Sequence, residues 1–382
     1  MDFELTNRQK QIRLAVREFA EGEIAPVAQE CEIKEDFPRD LIKKAAQLGF
    51  IGVFIKKENG GLGLGFLEHA TILEEFWRVD PGLGQVFSSL TFGAEELQFF
   101  SSEEQKKKYL PPLVKGDWIM GFSITEPEAG SDTASAVTTA KKEGEEYVIN
   151  GNKVMITNGT VANFVLVYCL THPEETSRSK RHSILLVETD RPGYKADRIH
   201  RKMGIRASDT ANIYFNNVRV PKENLIGVEG NGFSQLMKFF DHSRSYVAAH
   251  GVGLAQGAME QAINYVKKRK QFGKTIASFQ VTQFKIAEMA TLIETARSLV
   301  HKTCWNLDRG NVDSQLAAMA KWWACNVAVR VVDEALQLHG GYGYLEDYPI
   351  ERFYRAAKIL ELYEGTKEID KMMIGRKILG VT

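Results

Sequence analysis

One carboxylate near the end of the chain is set apart by its neighbours. Glu364 lies between Tyr363 and Gly365 in the run Leu362-Tyr363-Glu364-Gly365-Thr366, inside an otherwise helical pattern. Glycine is a poor helix residue and lets backbone approach a ligand, so Glu364-Gly365 can offer a carboxylate and a bare backbone N–H to one small molecule. A single Glu placed in this way reads as a general base, set against the plainer reading of a solvated Glu near a helix end. A second chemistry resides in Arg269 and in Gly340-Gly341. Arginine presents a planar fork to phosphate oxygens, and paired glycines let backbone come close to the same group.

Other chemistries lack support. GxxxxGK, HExxH and GxSxG are all missing, which removes the usual signatures of phosphoryl transfer, zinc proteolysis and serine hydrolysis. The glycine run Asn59 to Gly65 does not satisfy GxGxxG and follows no strand, so it reads as a loop. Cys31, Cys169, Cys304 and Cys325 are far apart, without metal-ligand spacing, and read as buried free thiols in a reducing compartment. No metal is expected. Lys plus Arg equals Asp plus Glu at 49 each, so net charge gives no case for nucleic acid or an anionic membrane. The N-terminus runs straight into an amphipathic helix, with Thr6 and Gln9 resembling a capping box and Ile12, Val16 and Phe19 at helical spacing. With no signal segment and no apolar run of ~18 residues, the chain reads as cytoplasmic and without a membrane span.

The elements that must position these groups divide by hydrophobic period. Residues 1–118 repeat at three and four, which predicts a helical domain. Residues 119–231 turn to short β-branched runs, Tyr147 to Ile149, Val165 to Leu170, Ile184 to Val187 and Ile213 to Phe215, with Asn150-Gly151 as a hairpin signal. From 232 to 382 the helical period returns, predicting helices near 233–268, 280–308, 313–339 and 350–372. The class is α+β and mostly helical: an N-terminal helical domain, a middle β-barrel-like domain and a C-terminal four-helix bundle.

At Phe122-Ser123-Ile124-Thr125-Glu126-Pro127-Glu128-Ala129-Gly130-Ser131-Asp132 the chain resembles the FAD-dependent acyl-CoA dehydrogenases, and the likeness runs end to end. It is carried also by Met155-Ile156-Thr157-Asn158-Gly159, Asp241 to Arg244, Arg269 to Lys274, Gln337 to Gly341 and Tyr363 to Thr366. The resemblance implies that Phe122, Ser123, Ile124, Thr125, Gly130 and Ser131 cover a non-covalent FAD, with Ser131 also meeting CoA. Small and hydroxyl residues there leave donors free for the polar edge of a flavin. Met155, Ile156 and Thr157 flank the ring, Thr157 matching the hydroxyl near its reactive nitrogen. Arg269, Gln280, Gln337, Leu338, His339, Gly340 and Gly341 match the pyrophosphate and adenosine contacts across a subunit boundary, and Thr366, Lys367 and Glu368 complete the flavin set. Asp241, Arg244, Thr91 and Gly365 match substrate contacts. The implied assembly is a homotetramer, a dimer of dimers, passing electrons to an electron-transfer flavoprotein.

By the same resemblance Glu364 removes the α-proton of an acyl-CoA, the β-hydride passes to flavin, and a 2,3-enoyl-CoA leaves. Some members carry their base just before the Arg of Asp241 to Arg244, where this chain has Ser243, which leaves Glu364 as the base. Three departures matter. Met155 stands where Trp is usual, and Ala356 where Asp often follows Tyr354-Arg355; no Arg lies between Arg78 and Arg178, which disfavours the dicarboxylic substrates of glutaryl-CoA dehydrogenases. Met1 to Pro26, Ser88 to Glu96 and Met155 look most like members acting on alicyclic acids such as cyclohexane-1-carboxyl-CoA. Those that make cyclic dienes place Asp where this chain has Thr91 and lack Glu364, so α,β-elimination on a saturated ring or a short branched chain is expected. An acyl-CoA oxidase-like flavoenzyme and an inert flavin-binding scaffold are the rival classes.

Overall fold

The computed structural model describes residues 4–381; the first three residues of the opening segment and Thr382 lie outside them. Seven helices come first: α1 (Asn7–Phe19), α2 (Ala28–Lys34), α3 (Arg39–Gln47), α4 (Phe66–Val79), α5 (Pro81–Ser89), α6 (Ala94–Phe100) and α7 (Glu103–Val114). The Thr6–Gln9 capping box forms as the sequence predicts, and Val16 and Phe19 are buried. The run from Asn59 to Gly65 is a turn and loop, as read.

The sheet follows: β1 (Met120–Ser123), β2 (Thr139–Glu143), β3 (Glu146–Thr157), β4 (Phe164–Leu170), β5 (His182–Glu188), β6 (Tyr194–Arg198), β7 (Thr210–Pro221) and β8 (Leu225–Ile226). Its order is β6-β7-β3-β2-β4-β5-β8, with β1 lying parallel to β4 off this path. The remaining helices are α8 (Gly232–Lys268), α9 (Gln280–Asp308), α10 (Ser314–His339), α11 (Ile350–Leu360) and α12 (Lys367–Leu379), with a short hairpin of β9 (Lys270–Gln271) and β10 (Lys274–Thr275) after α8.

Two helices set the centre. Almost every residue of α4 from Leu67 to Arg78 is buried. It packs on α8 because Gly253 and Gly257 leave no side chain at the crossing; a Cβ there would come within 2.2 Å of the Glu74 carbonyl and 1.9 Å of the Arg78 carbonyl. At the other end α9 caps α4, its Asp308 carboxylate accepting the backbone N–H groups of Phe66 at 2.5 Å and Leu67 at 3.1 Å. The long helix α8 therefore has a fixed rotation relative to the N-terminal helices, and this decides which of its side chains face inward.

Two local expectations are corrected. Asn150-Gly151 is not a hairpin turn; it is a bulge within β3, where pairing with β7 shifts register between Ile149 and Gly151. The chain reverses instead around Gly144 (φ +62°), between β2 and β3. The helix expected over 350–372 is two, interrupted between Leu360 and Lys367. Thr91 sits in the turn that follows α5. No helix of the described residues is long and apolar enough to cross a membrane.

Candidate active site

The break between α11 and α12 is where Glu364 sits, and the backbone there is unusual. Glu364 has φ +56° and Gly365 φ +90°, so two successive residues take the left-handed region that only glycine enters cheaply. A non-glycine residue held in that region is a frequent mark of a functional site. The turn is fixed by Thr366, which caps α12 by accepting from Ile369 N at 3.4 Å, and by Lys367 N donating to the Glu361 carbonyl at 3.1 Å. The N–H groups of Glu364 and Gly365 have no acceptor among the described residues.

Around this corner the side chains form a dense charged set. Ser243 on α8 donates to Glu364 Oε2 at 2.5 Å, and Arg244 Nε donates to the Glu364 carbonyl at 3.3 Å. Arg244 also faces Asp370 at 3.5 Å, and Lys321 of α10 faces the same carboxylate at 3.3 Å while donating to the Gly365 carbonyl. Lys321 and Asp370 are fully buried and Arg244 nearly so. The Arg244 partner is thus Asp370, and not the Asp241 that helical spacing offers. Burial pushes the Glu364 carboxyl up to about 7, with Ser243, Arg244 and Lys321 pulling it back toward the usual range. Such a carboxyl is a competent base near neutral pH. Behind it Tyr363 holds its hydroxyl 2.7 Å from His250 Nδ1.

The segment predicted to cover a planar cofactor is pinned from below by a buried ion pair. Lys153, fully buried on β3, donates to the Ile124 carbonyl and to Glu126 Oε1, each at 2.8 Å. Glu126 also accepts from Val137 N at 2.7 Å and Thr138 N at 2.9 Å, and Val154 N donates to the Thr125 carbonyl at 2.9 Å. Ile124 and Thr125 are half-buried, and Gly130 and Ser131 are exposed on the outer turn. Phe122 and Ser123 face inward: Phe122 packs edge-on against Phe239 at 5.2 Å, and Ser123 is fully buried. Ile156 packs into the sheet core, so only its backbone remains for a ligand, while Met155 (φ +59°) is 67% exposed and Thr157 half-buried.

A separate cavity of about 380 Å³ brings together Arg269, Gln337, Leu338, His339, Gly340 and Gly341. The Arg269 guanidinium lies over the Tyr342 ring at 5.3 Å, and a Cβ at Gly340 or Gly341 would meet open space. A guanidinium, an amide and bare backbone are a donor set suited to a pyrophosphate and a heteroaromatic base, so the residues present fit the FAD the resemblance implies. Gln280, the exposed first residue of α9, does not line this cavity. Neither do Thr366, Lys367 and Glu368, which begin α12 beside Glu364. Asp241 is half-buried one turn before Arg244; Thr91 is buried with its methyl toward Gly52, its hydroxyl outside the hydrogen bonds of the Glu364 corner. Sequence reasoning missed Lys153, Lys321 and Asp370; of these Lys321 carries a local signal, an ionisable residue in the apolar face of Ala317, Ala318, Ala320 and Ala324.

Residues 6–117, 121–218 and 230–379 match three successive families, the N-terminal, middle and C-terminal domains of acyl-CoA dehydrogenase. The short-chain specific acyl-CoA dehydrogenase of Clostridium acetobutylicum is 43% identical over 99% of this chain and 100% of its own. Butyryl-CoA dehydrogenase from Megasphaera elsdenii superposes with a TM-score of 0.95 at 37% identity, covering 99% of this chain and 100% of that one. A chain in the solved structure described as the electron transferring flavoprotein of Acidaminococcus fermentans gives 0.96 at 41%, with the same coverage.

Proposed function

Because the chain belongs to the acyl-CoA dehydrogenase family of FAD-dependent oxidoreductases, we propose that Glu364 is the base that takes the α-proton of its acyl-CoA substrate. The carrying observation is a carboxyl held at φ +56° beside two unengaged backbone N–H groups, where burial pushes it up to about 7. A carbon α to a thioester is too weakly acidic for an ordinary carboxylate, so the site must also stabilise negative charge on the thioester oxygen. The Glu364 N–H is free for that oxygen. Ser243 and Arg244 hold the carboxylate and its backbone, and Lys321 and Asp370 fix the turn that carries both. FAD, when bound, supplies the acceptor for the β-hydride. Thr125, Thr157 and the backbone from Ile124 to Ser131 would hold its ring, with Arg269 and Gln337 to Gly341 at the pyrophosphate end.

The acyl group is a short linear or branched one, ahead of the alicyclic group that the sequence also admits. The Clostridium acetobutylicum relative is described as short-chain specific and the Megasphaera elsdenii one as a butyryl-CoA dehydrogenase. Three features on which the alicyclic reading leans, Met1 to Pro26, Ser88 to Glu96 and Met155, include a Met155 that stands out from the sheet and a Thr91 turned toward Gly52. An electron-transfer flavoprotein as acceptor is supported by the likeness to the Acidaminococcus chain. A second copy over the Arg269 cavity, and with it a dimer of dimers, is supported by the adjoining apolar surface, Phe272 being 91% and Tyr344 85% exposed.

Anaerobic bleaching of the flavin absorbance tests this reading. Butyryl-, isobutyryl- or isovaleryl-CoA should bleach the wild type faster than octanoyl-, glutaryl- or cyclohexanecarboxyl-CoA. Glu364→Gln should keep FAD and thioester binding and lose the bleaching rate by ~10³-fold or more, since it removes the base and little volume. Retained bleaching in that variant sinks the assignment.

A further inference from the structure

Rotation about one bond decides where the unengaged Glu364 N–H points. The peptide plane that carries this N–H begins at the Tyr363 carbonyl and meets the rest of Glu364 at the φ of +56°. A left-handed φ at a side chain other than glycine persists only where the surroundings hold both sides of the bond. On the far side Arg244 bonds the Glu364 carbonyl and Lys321 the Gly365 carbonyl. On the near side the Tyr363 N–H donates to the Ile359 carbonyl at 3.1 Å, as the chain leaves α11. A second point of attachment, through the Tyr363 side chain, stops its α-carbon from turning, so the peptide that joins it to Glu364 keeps its orientation.

That second point is His250. Its Nδ1 lies 2.7 Å from Tyr363 Oη, the one side-chain hydrogen bond of this tyrosine among the described residues. His250 stands on α8 two turns beyond Ser243, on the same inward face. The residue is 2% exposed, and its ring stacks on Trp77 of α4 with centroids 4.7 Å apart and planes 11° from parallel. Trp77 is itself fixed. Its Nε1–H donates to Ser88 Oγ at 2.9 Å, Ser88 donates onward to the Gly84 carbonyl at 2.7 Å, and a Cβ at Gly253 would come within 2.9 Å of Trp77 Cβ. Burial keeps the imidazole well below its ordinary pKa, so the ring stays neutral through the range in which Glu364 titrates.

Building on the reading of Glu364 as the base, we propose that His250 is a positioning residue for the same reaction. Through Tyr363 it aims the Glu364 N–H at the thioester oxygen, while Ser243 on the same face of α8 holds the carboxylate. The N–H matters most as the oxygen gains negative charge on loss of the α-proton, so loosening Tyr363 lowers the rate rather than the affinity for thioester. The carboxyl itself is tuned by burial, Ser243, Arg244, Lys321 and Asp370, so its titration should stay in place.

The test follows anaerobic bleaching of the FAD-loaded enzyme, with whichever thioester of the panel above bleaches the wild type fastest, against pH and thioester concentration. His250→Phe, Tyr363→Phe and the double variant each keep two rings and remove the bond. Each single variant should lower the plateau rate at high pH and saturating thioester by about tenfold or more, with the half-saturating concentration and the pH midpoint little changed. The double variant should be no slower than the singles, because the bond is already gone. His250→Asn, whose amide reaches the place of Nδ1, should recover most of the rate although it gives up the stack on Trp77. A merely structural role would move the melting temperature and FAD binding without this pattern. Tyr363→Phe, which removes only a hydroxyl, carries the test alone if His250→Phe does not fold. An unchanged plateau in the single variants, losses that multiply in the double, or an Asn variant as slow as the Phe one overturns the proposal and leaves the reading of Glu364 intact. Bleaching retained by Glu364→Gln overturns both.

Discussion

Glu126 and Glu364 are chemically the same group, both flank the proposed reaction centre, and they are driven in opposite directions. Burial pushes each carboxyl up. At Glu126 that push is outweighed by a fully buried Lys153 and by the N–H groups of Val137 and Thr138, so the carboxyl settles below its ordinary value. At Glu364 the direct donor is one hydroxyl, and the two neighbouring cations share themselves with Asp370, so burial wins. A carboxylate with its partners complete is a structural pin; one with its partners divided is left able to change protonation.

The largest way to break this contrast is to take away the pin's cation. Lys153→Met leaves the Glu126 carboxyl buried without its counter-charge, and removing one partner of a buried pair costs ~3–5 kcal/mol. The melting temperature should fall by several degrees. The 124–131 segment should also loosen its hold on FAD, because the Ile124 carbonyl loses its donor. If a thermal melt and an FAD dissociation constant both match the wild type, the pair is ornamental and the comparison fails. Lys153→Arg restores charge but not shape in a site with no exposure, so only partial rescue is expected.

The contrast also predicts opposite pH dependences of stability. The folded pKa of Glu126 lies below its unfolded value, so it contributes stability above the unfolded value of ~4.5 that is lost as pH falls through the folded one. Glu364 has its folded pKa raised to about 7, so the folded state binds the extra proton between pH ~4.5 and 7, and stability falls as pH rises through that window. Replacing Glu364 by Gln removes this term. In denaturant titrations the variant should gain on the wild type from pH 5 to about 7 and level off by pH 8. A constant difference across that range would mean that Glu364 is not perturbed.

How much of this was readable beforehand follows from the same physics. The order of helical, sheet and helical parts was legible because periods of 3.6 and 2 are written along the chain, and Glu364 was legible because Gly365 interrupts a helical pattern. The bulge at Asn150-Gly151 was not, since a turn dipeptide looks the same wherever its φ is satisfied; at Gly151 the Thr138 backbone, 2.7 Å from a would-be Cβ, decides. Nor were Lys153, Lys321 and Asp370. Each is a charged residue whose meaning lies in a partner distant in sequence, such as Arg244 and Asp370, 126 positions apart. Ala356 illustrates the remainder: it is buried, with Gly204 packed on its backbone, and nothing in the structure explains an alanine there.

The smallest effect, and the one that most sharpens the comparison, concerns Ser243. If incomplete partnering is what leaves Glu364 titratable, then deleting its one direct side-chain donor should move it further the same way. The Ser243 hydroxyl donates to Oε2 at 2.5 Å, a bond that favours the ionised form. A hydrogen bond to a charged group is worth ~1.5–3 kcal/mol, so Ser243→Ala should raise the Glu364 pKa by roughly one to two units. The pH profile of the bleaching rate should rise through about 7 in the wild type and through a correspondingly higher pH in the variant, with the plateau rate at high pH little changed. A plateau that drops without any shift of the midpoint would show instead that Ser243 only aims the carboxylate. Protonation would then be set by burial and by the Arg244–Lys321–Asp370 set, and the difference from Glu126 would lie in the cations alone.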